Sequence, residues 1–202
     1  MIAKSLRATT AAAAIAVAGG AWAAATVGQP APAFSAKDVN GNTVSLADFR
    51  GRTVVLEWIN PGCPFVRKHY DSANMQGTQK DAAAQGAVWL AINSTAEDSR
   101  DYMPPHALAQ WMAKHGAAAT ATLMDADGRI GRAYGARVTP HMYVIDAQGR
   151  LAYAGAIDSI ASSRIGDIER ATNYVRQVVP QVVAGKAAAP ATTQAYGCTI
   201  KY

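Results

Sequence analysis

Residues 53–70 of the chain are TVVLEWINPGCPFVRKHY, which joins an apolar run to a turn and a helical segment. The run TVVLEWI is rich in β-branched and apolar residues, as is typical of a strand buried in the middle of a parallel sheet. The Asn-Pro-Gly sequence after it interrupts the pattern, and Phe65–Ala84 has helical character. Pro64 suits the first position of a helix, where its missing N–H costs nothing. The sequence therefore predicts a strand, a tight turn and a helix, with Cys63 where the helix begins.

The residues around this unit predict an α/β fold. A second buried strand, a second helix and a short third strand are predicted at Ala87–Ile92, Pro105–His115 and Thr122–Met124. Strands that alternate with helices indicate crossover units over a parallel sheet. Two hairpins are also predicted, an N-terminal one within Phe34–Ser45 and a second formed by His141–Ile145 and Leu151–Ala154.

The C-terminal part is predicted to be a helix followed by a tail. Apolar residues recur at spacings of three and four, which predicts one apolar helix face, at Ile168, Ala171, Val175, Val178 and Val182. Pro180 should kink this helix or end it early. The segment Lys186–Tyr196 is rich in Ala, Pro and Thr and has no periodicity, so it is predicted to be a linker or a lightly ordered tail that carries Cys198.

The composition of the 202 residues argues against several classes of protein. The net charge is +5, but charged residues are only 16% and no run of five or six Lys or Arg occurs, which disfavours a nucleic-acid binder. A mean hydropathy of −0.01 argues against a polytopic membrane protein. Two cysteines, Cys63 and Cys198, are too few for a disulfide scaffold or a four-thiolate zinc site. His69, His106 and His115 show no metal-ligand spacing, so neither zinc nor another bound cofactor is predicted.

Residues 1–25 have the pattern of a secretory signal. Lys4 and Arg7 precede an apolar stretch of about 12 residues, and small residues follow it. An uncleaved membrane anchor is the alternative, but a span needs roughly 20 apolar residues. We therefore expect residues 1–25 to be a signal peptide, 26–185 one domain, and 186–202 a linker with a cysteine-bearing tail. The protein is then exported, with the bacterial periplasm as the expected compartment, and is not inserted in the membrane after cleavage. An oxidising compartment lets two cysteines form a disulfide.

Cys63 has the sequence environment of a nucleophile. Unpaired N–H groups and the positive end of the helix dipole stabilise a thiolate, and such positions lower a cysteine pKa from about 8.5 to roughly 3.5–7.5. An inert core cysteine is the alternative. Pro140 stands at the start of a predicted strand, where a proline is tolerated.

Three motifs resemble a known family. They are NPGCPFVRKHY at residues 60–70, GRAYGARVTPHMYVIDAQGRLAYAG at residues 131–155, and GCTIKY at residues 197–202. Their order resembles the thioredoxin fold, in particular the redoxin branch related to alkyl hydroperoxide reductase and thiol-specific antioxidant (AhpC/TSA) proteins, and exported thioredoxin-like proteins that end in a Gly-Cys-x-x-Lys-Tyr tail. The resemblance covers about Val27 to Tyr202. It implies a central mixed sheet flanked by helices, and a cis Pro140 beside Cys63 where substrate thiols dock.

The chain departs from two motifs of that family. Thioredoxins have Cys-x-x-Cys, whereas here the partner position holds Asn60 or Val66. Peroxiredoxins have Pro-x-x-x-Thr-x-x-Cys, and those positions hold Leu56 and Asn60. Asn60, with Arg67 or Arg137, could only partly replace the missing Thr in polarising a peroxide. Disulfide exchange is therefore favoured over peroxide reduction.

Cys198 allows two interpretations. It can act as a resolving cysteine that attacks a mixed disulfide or sulfenic acid on Cys63. It can instead form a permanent Cys63–Cys198 staple, worth about 5 kcal/mol on a loop-entropy estimate. In the second case, the protein could be a non-enzymatic exported binding module whose cleft beside Pro140 holds a peptide or small ligand.

Three other side chains are candidates for supporting roles. Glu57 stands six positions before Cys63, where thioredoxins place a buried acid that accepts the thiol proton, although it could also face a sheet edge. His141 could shuttle protons or simply pack in a strand. Arg67, one helical turn after Cys63, could support its thiolate or lie on a solvated helix face.

The sequence therefore predicts an exported thiol–disulfide oxidoreductase, with Cys63, Cys198, Pro140, Glu57 and Asn60 as site residues. The expected partners are an external thiol reductase or oxidant, with substrate protein thiols, protein disulfides or a peroxide. A thiol-dependent peroxidase is the alternative enzyme.

Overall fold

The computed structural model describes residues 24–202, so residues 1–23 of the predicted signal peptide lie outside the described part. The central sheet has seven strands in the order β2-β1-β5-β4-β3-β7-β8. These strands are β1 (Ser35–Asp38), β2 (Thr43–Ser45), β3 (Val54–Trp58), β4 (Val88–Asn93), β5 (Ala121–Met124), β7 (His141–Ile145) and β8 (Leu151–Gly155). A separate two-stranded ladder joins β6 (Val138–Thr139) to β9 (Cys198–Thr199).

The sheet is mixed, and β3 lies inside it. β3 pairs in parallel with β4 and antiparallel with β7, while β4 pairs in parallel with β5. The β1–β2 and β7–β8 hairpins are both present. The prediction of an α/β fold with a central mixed sheet, flanking helices and an N-terminal hairpin is confirmed.

Side chains alternate between the two faces of the sheet along each strand, and both faces are buried. On β3, Val54, Leu56 and Trp58 belong to one apolar cluster and Val55 to the other, which also contains Cys63. The helices α1 (Pro64–Asp71), α2 (Asn74–Ala84), α3 (Pro105–Lys114), α4 (Arg129–Tyr134) and α5 (Tyr174–Val183) flank this sheet. Within residues 24–202, none of the helices is long and apolar enough to span a bilayer.

The prediction of a single helical segment over residues 65–84 is wrong in one respect, because the structure has two helices there. Between α1 and α2, Ala73 adopts a left-handed conformation with φ of 59°. The hydroxyl of Ser72 donates to the carbonyl of Lys68 at 2.7 Å, and the Gln76 amide donates to the carbonyl of Tyr70 at 2.8 Å. These side chains satisfy carbonyls at the end of α1, so the backbone can leave the helix there.

The last helix begins later than its apolar spacing predicts. The Asn173 side chain accepts from the Arg176 N–H, which caps α5 at its first turn. Ile168 lies instead in a separate 3-10 helix at Ile165–Arg170. Pro180 does not end α5, which continues to Val183.

The segment predicted to be a linker or a lightly ordered tail is packed along the sheet. Thr192 bridges to Ala154 of β8, with the Ala154 N–H donating to Ala191 and the Thr193 N–H donating to Ala154, both at 3.2 Å. The Thr193 hydroxyl also lies 2.6 Å from the Tyr153 hydroxyl. Backbone groups at the outer edge of β8 hold this segment. Because backbone hydrogen bonds do not require apolar side chains at regular spacings, the sequence of the segment shows no hydrophobic periodicity.

Candidate active site

Cys63 lies where β3 has turned into α1. The Asn60 side chain accepts from the Gly62 N–H at 2.7 Å, and the Cys63 N–H donates to the Asn60 carbonyl at 3.0 Å, which closes the turn. Cys63 is the N-cap residue of α1, and Pro64 occupies the first helical position. The expected placement of the sulfur at the helix N-terminus is confirmed.

Cys63 and Cys198 are joined by a disulfide, with their Cα atoms 5.8 Å apart. Two features of the backbone bring Cys198 to this point. The first is the β6–β9 ladder, in which Cys198 faces Thr139. The second is Gly197, with φ of 144°, where an added Cβ would overlap the carbonyl of Thr139. The tail therefore lies against the segment that carries Pro140.

The peptide bond between Thr139 and Pro140 is cis, as the family resemblance implies. The Thr139 carbonyl oxygen lies 3.1 Å from the sulfur of Cys63. Cys63, Cys198 and Pro140 are thus brought to one place.

The two cysteines differ in how far they are exposed to solvent. Cys63 is only 2% exposed, whereas Cys198 is partly buried. A cavity of about 80 Å³ borders the disulfide, and its lining includes Asn60, Thr95, Asp101 and Lys201. This volume is large enough for a few waters or one small oxidant.

Asn60 lies at this cavity, but its amide is already engaged. Its Nδ2 donates to the Thr95 hydroxyl at 2.9 Å, and lies 3.5 Å from the Asp101 carbonyl. Arg67 and Arg137 are both exposed, so Arg67 lies on a solvated helix face.

Glu57 is fully buried in β3 and does not face a sheet edge. Its Oε2 accepts from Trp89 Nε1 at 2.8 Å and from Gln79 Nε2 at 3.2 Å, and its Oε1 accepts from the Tyr70 hydroxyl at 3.0 Å. Burial raises the pKa of the Glu57 carboxyl from 4.5 to about 7, although these three donors act in the opposite direction. Within residues 24–202, the hydrogen bonds of Glu57 go to these side chains and not to Cys63.

His141 follows Pro140 at the start of β7 and is partly buried. Its Nδ1 lies 3.2 Å from the Tyr143 hydroxyl. Burial lowers the pKa of His141 from 6.5 to about 4, and the positive charge of Arg137 acts in the same direction. The imidazole is therefore neutral near pH 7.

A buried polar cluster beside the site is not among the residues predicted from sequence. Lys68 and His69 of α1 meet Asp158, which follows β8, and Tyr196 of the tail. The sequence held one signal for this cluster: Lys68 and His69 stand three and four residues after Phe65, so the three side chains share one face of a predicted helix. Their partners lie 90 and 127 positions away along the chain, so only the fold reveals them. Among residues 24–202, no three His, Cys, Asp or Glu side chains are grouped so as to hold a metal ion.

A model of the AhpC/TSA family matches residues 27–154, which is more than half of the chain. The chain belongs to the AhpC/TSA family. The match confirms the resemblance to the redoxin branch and ends before the tail, so it does not extend to the C-terminal Gly-Cys-x-x-Lys-Tyr motif.

Curated relatives of this AhpC/TSA chain include proteins of two kinds. It is 28% identical to the thiol:disulfide interchange protein DsbE of Yersinia pestis over 137 aligned residues, and the alignment covers 66% of each chain. It is 50% identical to a protein named "Putative peroxiredoxin" from Mycobacterium tuberculosis over 42 aligned residues, and this alignment covers 19% of this chain and 27% of that protein. The matches therefore span just under two thirds of the first relative and about a quarter of the second.

Solved structures show the same fold over most of this AhpC/TSA chain. A hypothetical protein from Sinorhizobium meliloti has a TM-score of 0.74 at 27% identity, with 89% of this chain and 96% of that chain covered. An uncharacterized conserved protein from Geobacillus kaustophilus has a TM-score of 0.72 at 24% identity, with 88% and 92% covered.

Proposed function

We propose that this protein is an exported thiol–disulfide oxidoreductase in which Cys63 is the nucleophile and Cys198 the resolving cysteine. The observation that carries the proposal is the disulfide between a buried cysteine at a helix N-terminus and a more exposed cysteine on the tail. The similarity to a thiol:disulfide interchange protein supports the same class of reaction.

In this proposal, the reductive half begins at Cys198, the more exposed of the two cysteines. A thiolate of an external dithiol attacks Cys198 Sγ, which breaks the Cys63–Cys198 bond and releases Cys63 as a thiolate. The second thiol of the reductant then attacks the mixed disulfide, and Cys198 leaves as a thiol. The reductant has lost two electrons and become a disulfide, and the chain now holds two reduced cysteines.

In the second half the chain reduces its substrate. Cys63 thiolate attacks a substrate disulfide beside Pro140, forms a mixed disulfide and releases one substrate thiol. Cys198 thiolate then attacks Cys63 Sγ, which restores the internal disulfide and releases the second substrate thiol. The sum is the transfer of two electrons from the external dithiol to the substrate disulfide, and the reverse sequence oxidises a substrate dithiol.

The surroundings of Cys63 support two further assignments. Helix N–H groups at the start of α1 stabilise the Cys63 thiolate when the disulfide opens. Glu57 titrates near neutral pH on the sheet face that also carries the helix of Cys63, and we assign it the role of taking up a proton during exchange. Asn60 shapes the turn that presents Cys63 through its bond to Gly62.

Export to the periplasm is part of the same proposal. It rests on the signal-like pattern of residues 1–25. We also propose the division into a signal peptide at 1–25, a domain at 26–185 and a tail at 186–202.

The decisive experiment is equilibration of the full mature chain with glutathione buffers. A reduction potential above about −300 mV indicates a working couple, and a lower value indicates a structural staple. The Cys198→Ser variant should accumulate a mixed disulfide on Cys63 when mixed with a substrate disulfide, because the resolving step is missing. Cys63→Ser is the matched control and should form no mixed disulfide at residue 63. A wild-type chain that resists glutathione and a Cys198→Ser variant that traps nothing would overturn the proposal in favour of a binding module.

Thiol-dependent peroxide reduction is the second candidate, because of the local 50% identity to the peroxiredoxin-named protein. The amide of Asn60 is engaged, and Arg67 is not among the residues that line the cavity at the disulfide. Both observations disfavour peroxide reduction, since a peroxide needs free donors beside the sulfur to hold its leaving oxygen. Rapid stoichiometric oxidation of Cys63 in the reduced chain by hydrogen peroxide would reverse the order of the two candidates.

A further inference from the structure

The tail and α1 are joined at a second place close to the disulfide. Tyr196 lies two residues before Cys198, and its hydroxyl donates to Asp158 Oδ1. The Tyr196 ring packs edge-on against Phe65 of α1, with centroids 5.7 Å apart. We call the group of Tyr196, Lys68, His69 and Asp158 the Tyr196 clasp.

The clasp is built around a buried ion pair. Lys68 is 1% exposed and Asp158 2% exposed, and Lys68 Nζ lies 2.9 Å from Asp158 Oδ2. A buried ion pair is stable only if its other hydrogen-bonding positions are also filled. The Ile160 carbonyl accepts from Lys68 at 3.1 Å, and the Ile160 N–H donates to Asp158 Oδ1 at 3.1 Å. The Tyr196 hydroxyl completes the set, so the ion pair favours the docked tail.

His69 adds a third contact to the same hydroxyl. Its Nδ1 lies 2.8 Å from the Asn74 side-chain amide, which donates to it. Burial lowers the pKa of His69 to about 4, so the ring is neutral near pH 7 and its proton is on Nε2, which lies 3.4 Å from the Tyr196 hydroxyl. Lys68 Nζ lies at the same distance of 3.4 Å, so two donors face the phenol oxygen while its own proton goes to Asp158.

We infer that the Tyr196 clasp positions Cys198 for resolution and so sets how readily the Cys63–Cys198 disulfide forms. The inference rests on the proposed function. One segment, α1, carries both Phe65 and Lys68 and begins next to Cys63, while the tail carries both Tyr196 and Cys198. Contacts that persist in the reduced chain hold the two sulfurs close and raise their effective concentration without touching the reacting atoms. Tyr196 and Lys68 are thus positioning residues.

The test compares Tyr196→Phe with wild type in full-length mature chain. The equilibrium is protein disulfide plus two glutathione giving protein dithiol plus glutathione disulfide, with two electrons and two protons moving to the protein. The variant loses only the hydroxyl, and we expect a tenfold lower equilibrium constant for the internal disulfide, which is a potential about 30 mV more positive. Tyr134→Phe is the control, because its hydroxyl donates to the Pro32 carbonyl at 2.8 Å and its ring belongs to the apolar cluster on the other face of the sheet from Tyr196.

Two results would overturn the inference. One is a Tyr196→Phe potential equal to wild type, even if the melting temperature falls. The other is a shift of equal size in Tyr134→Phe. Phe65→Leu keeps the ion pair intact and should shift the potential in the same direction by a smaller factor, which covers the case in which Tyr196→Phe does not fold. If wild type resists glutathione, the proposed function fails, and dithiothreitol then replaces glutathione so that the variants still test the clasp.

Discussion

Trp89 Nε1 donates to Glu57 Oε2 at 2.8 Å across the paired strands β3 and β4, and both side chains are buried. The bond, with those from Tyr70 and Gln79, offsets only part of the cost of burying this carboxylate, so the pKa of Glu57 rises to about 7. The core thus contains a carboxyl group that titrates near neutral pH.

Glu57 should make the protein less stable as the pH rises. The carboxyl has a pKa of about 7 in the folded chain and 4.5 as its ordinary value, so the folded state holds the proton more tightly between these values. The stability difference between Glu57→Gln and wild type should therefore grow in favour of the variant from pH 4.5 to 7, by on the order of 3 kcal/mol. Urea unfolding of both oxidised proteins at pH 5 and pH 8 measures it, and a difference independent of pH would contradict the assignment.

His141 should contribute in the opposite direction. Its pKa is lowered to about 4 from 6.5, so the unfolded chain binds the proton more tightly and stability is lost as the pH falls from 6.5 toward 4. His141→Gln should lose this acid sensitivity. It should keep the wild-type rate of disulfide exchange at pH 7.5, since an imidazole with a pKa of about 4 is not present there as the imidazolium that would act as an acid. A large loss of rate in stopped-flow exchange would instead assign a proton-shuttle role to His141.

Gly197→Ala should prevent the tail from docking. An added Cβ overlaps the Thr139 carbonyl, and the φ of 144° is strained for any side chain. We expect the internal disulfide to form at least tenfold less readily in glutathione buffers. Gly185→Ala is the control, since it has positive φ but no atom within 4 Å of the added Cβ. Equal effects of the two substitutions would mean that backbone strain, and not the contact with Thr139, is responsible.

Opening the disulfide should lower the free energy of unfolding by at most about 5 kcal/mol, because it closes a loop over a sequence separation of 135. The loss should approach this limit if the tail stays docked after reduction through Tyr196 and Ile200, which is 8% exposed, because the folded state is then unchanged. It should be smaller if the tail is released and gains conformational freedom. Denaturant unfolding of oxidised wild type and of Cys198→Ser gives the difference. Hydrogen exchange at residues 196–202 of the variant shows directly whether the tail remains protected.

The unit from β3 to α1 could be predicted from sequence because its signals are local. An apolar β-branched run, an Asn-Pro-Gly turn and Pro64 at the first helical position lie within a few residues of Cys63. The break between α1 and α2 at Ala73 could not be predicted, since it depends on the hydrogen bonds that the Ser72 and Gln76 side chains donate to carbonyl groups at the end of α1.

The rest of the site depends on contacts between distant parts of the chain. Asp158 and Tyr196 meet Lys68 across 90 and 128 positions, and no periodicity marks either of them. The path of the tail is similarly hidden, because it is fixed by backbone hydrogen bonds to β8 and β6, which any sequence of small residues can make.

The hydrogen bonds between residues 191–193 and Ala154 also affect solubility. β8 is the last strand on its side of the sheet, and its outer backbone groups would otherwise be free to recruit a strand of another molecule. This anchored stretch lies upstream of Cys198, so Cys198 can detach while these bonds stay in place. The outer edge of β8 then stays covered in the reduced state, so reduction does not expose an edge strand to which another molecule could pair and aggregate.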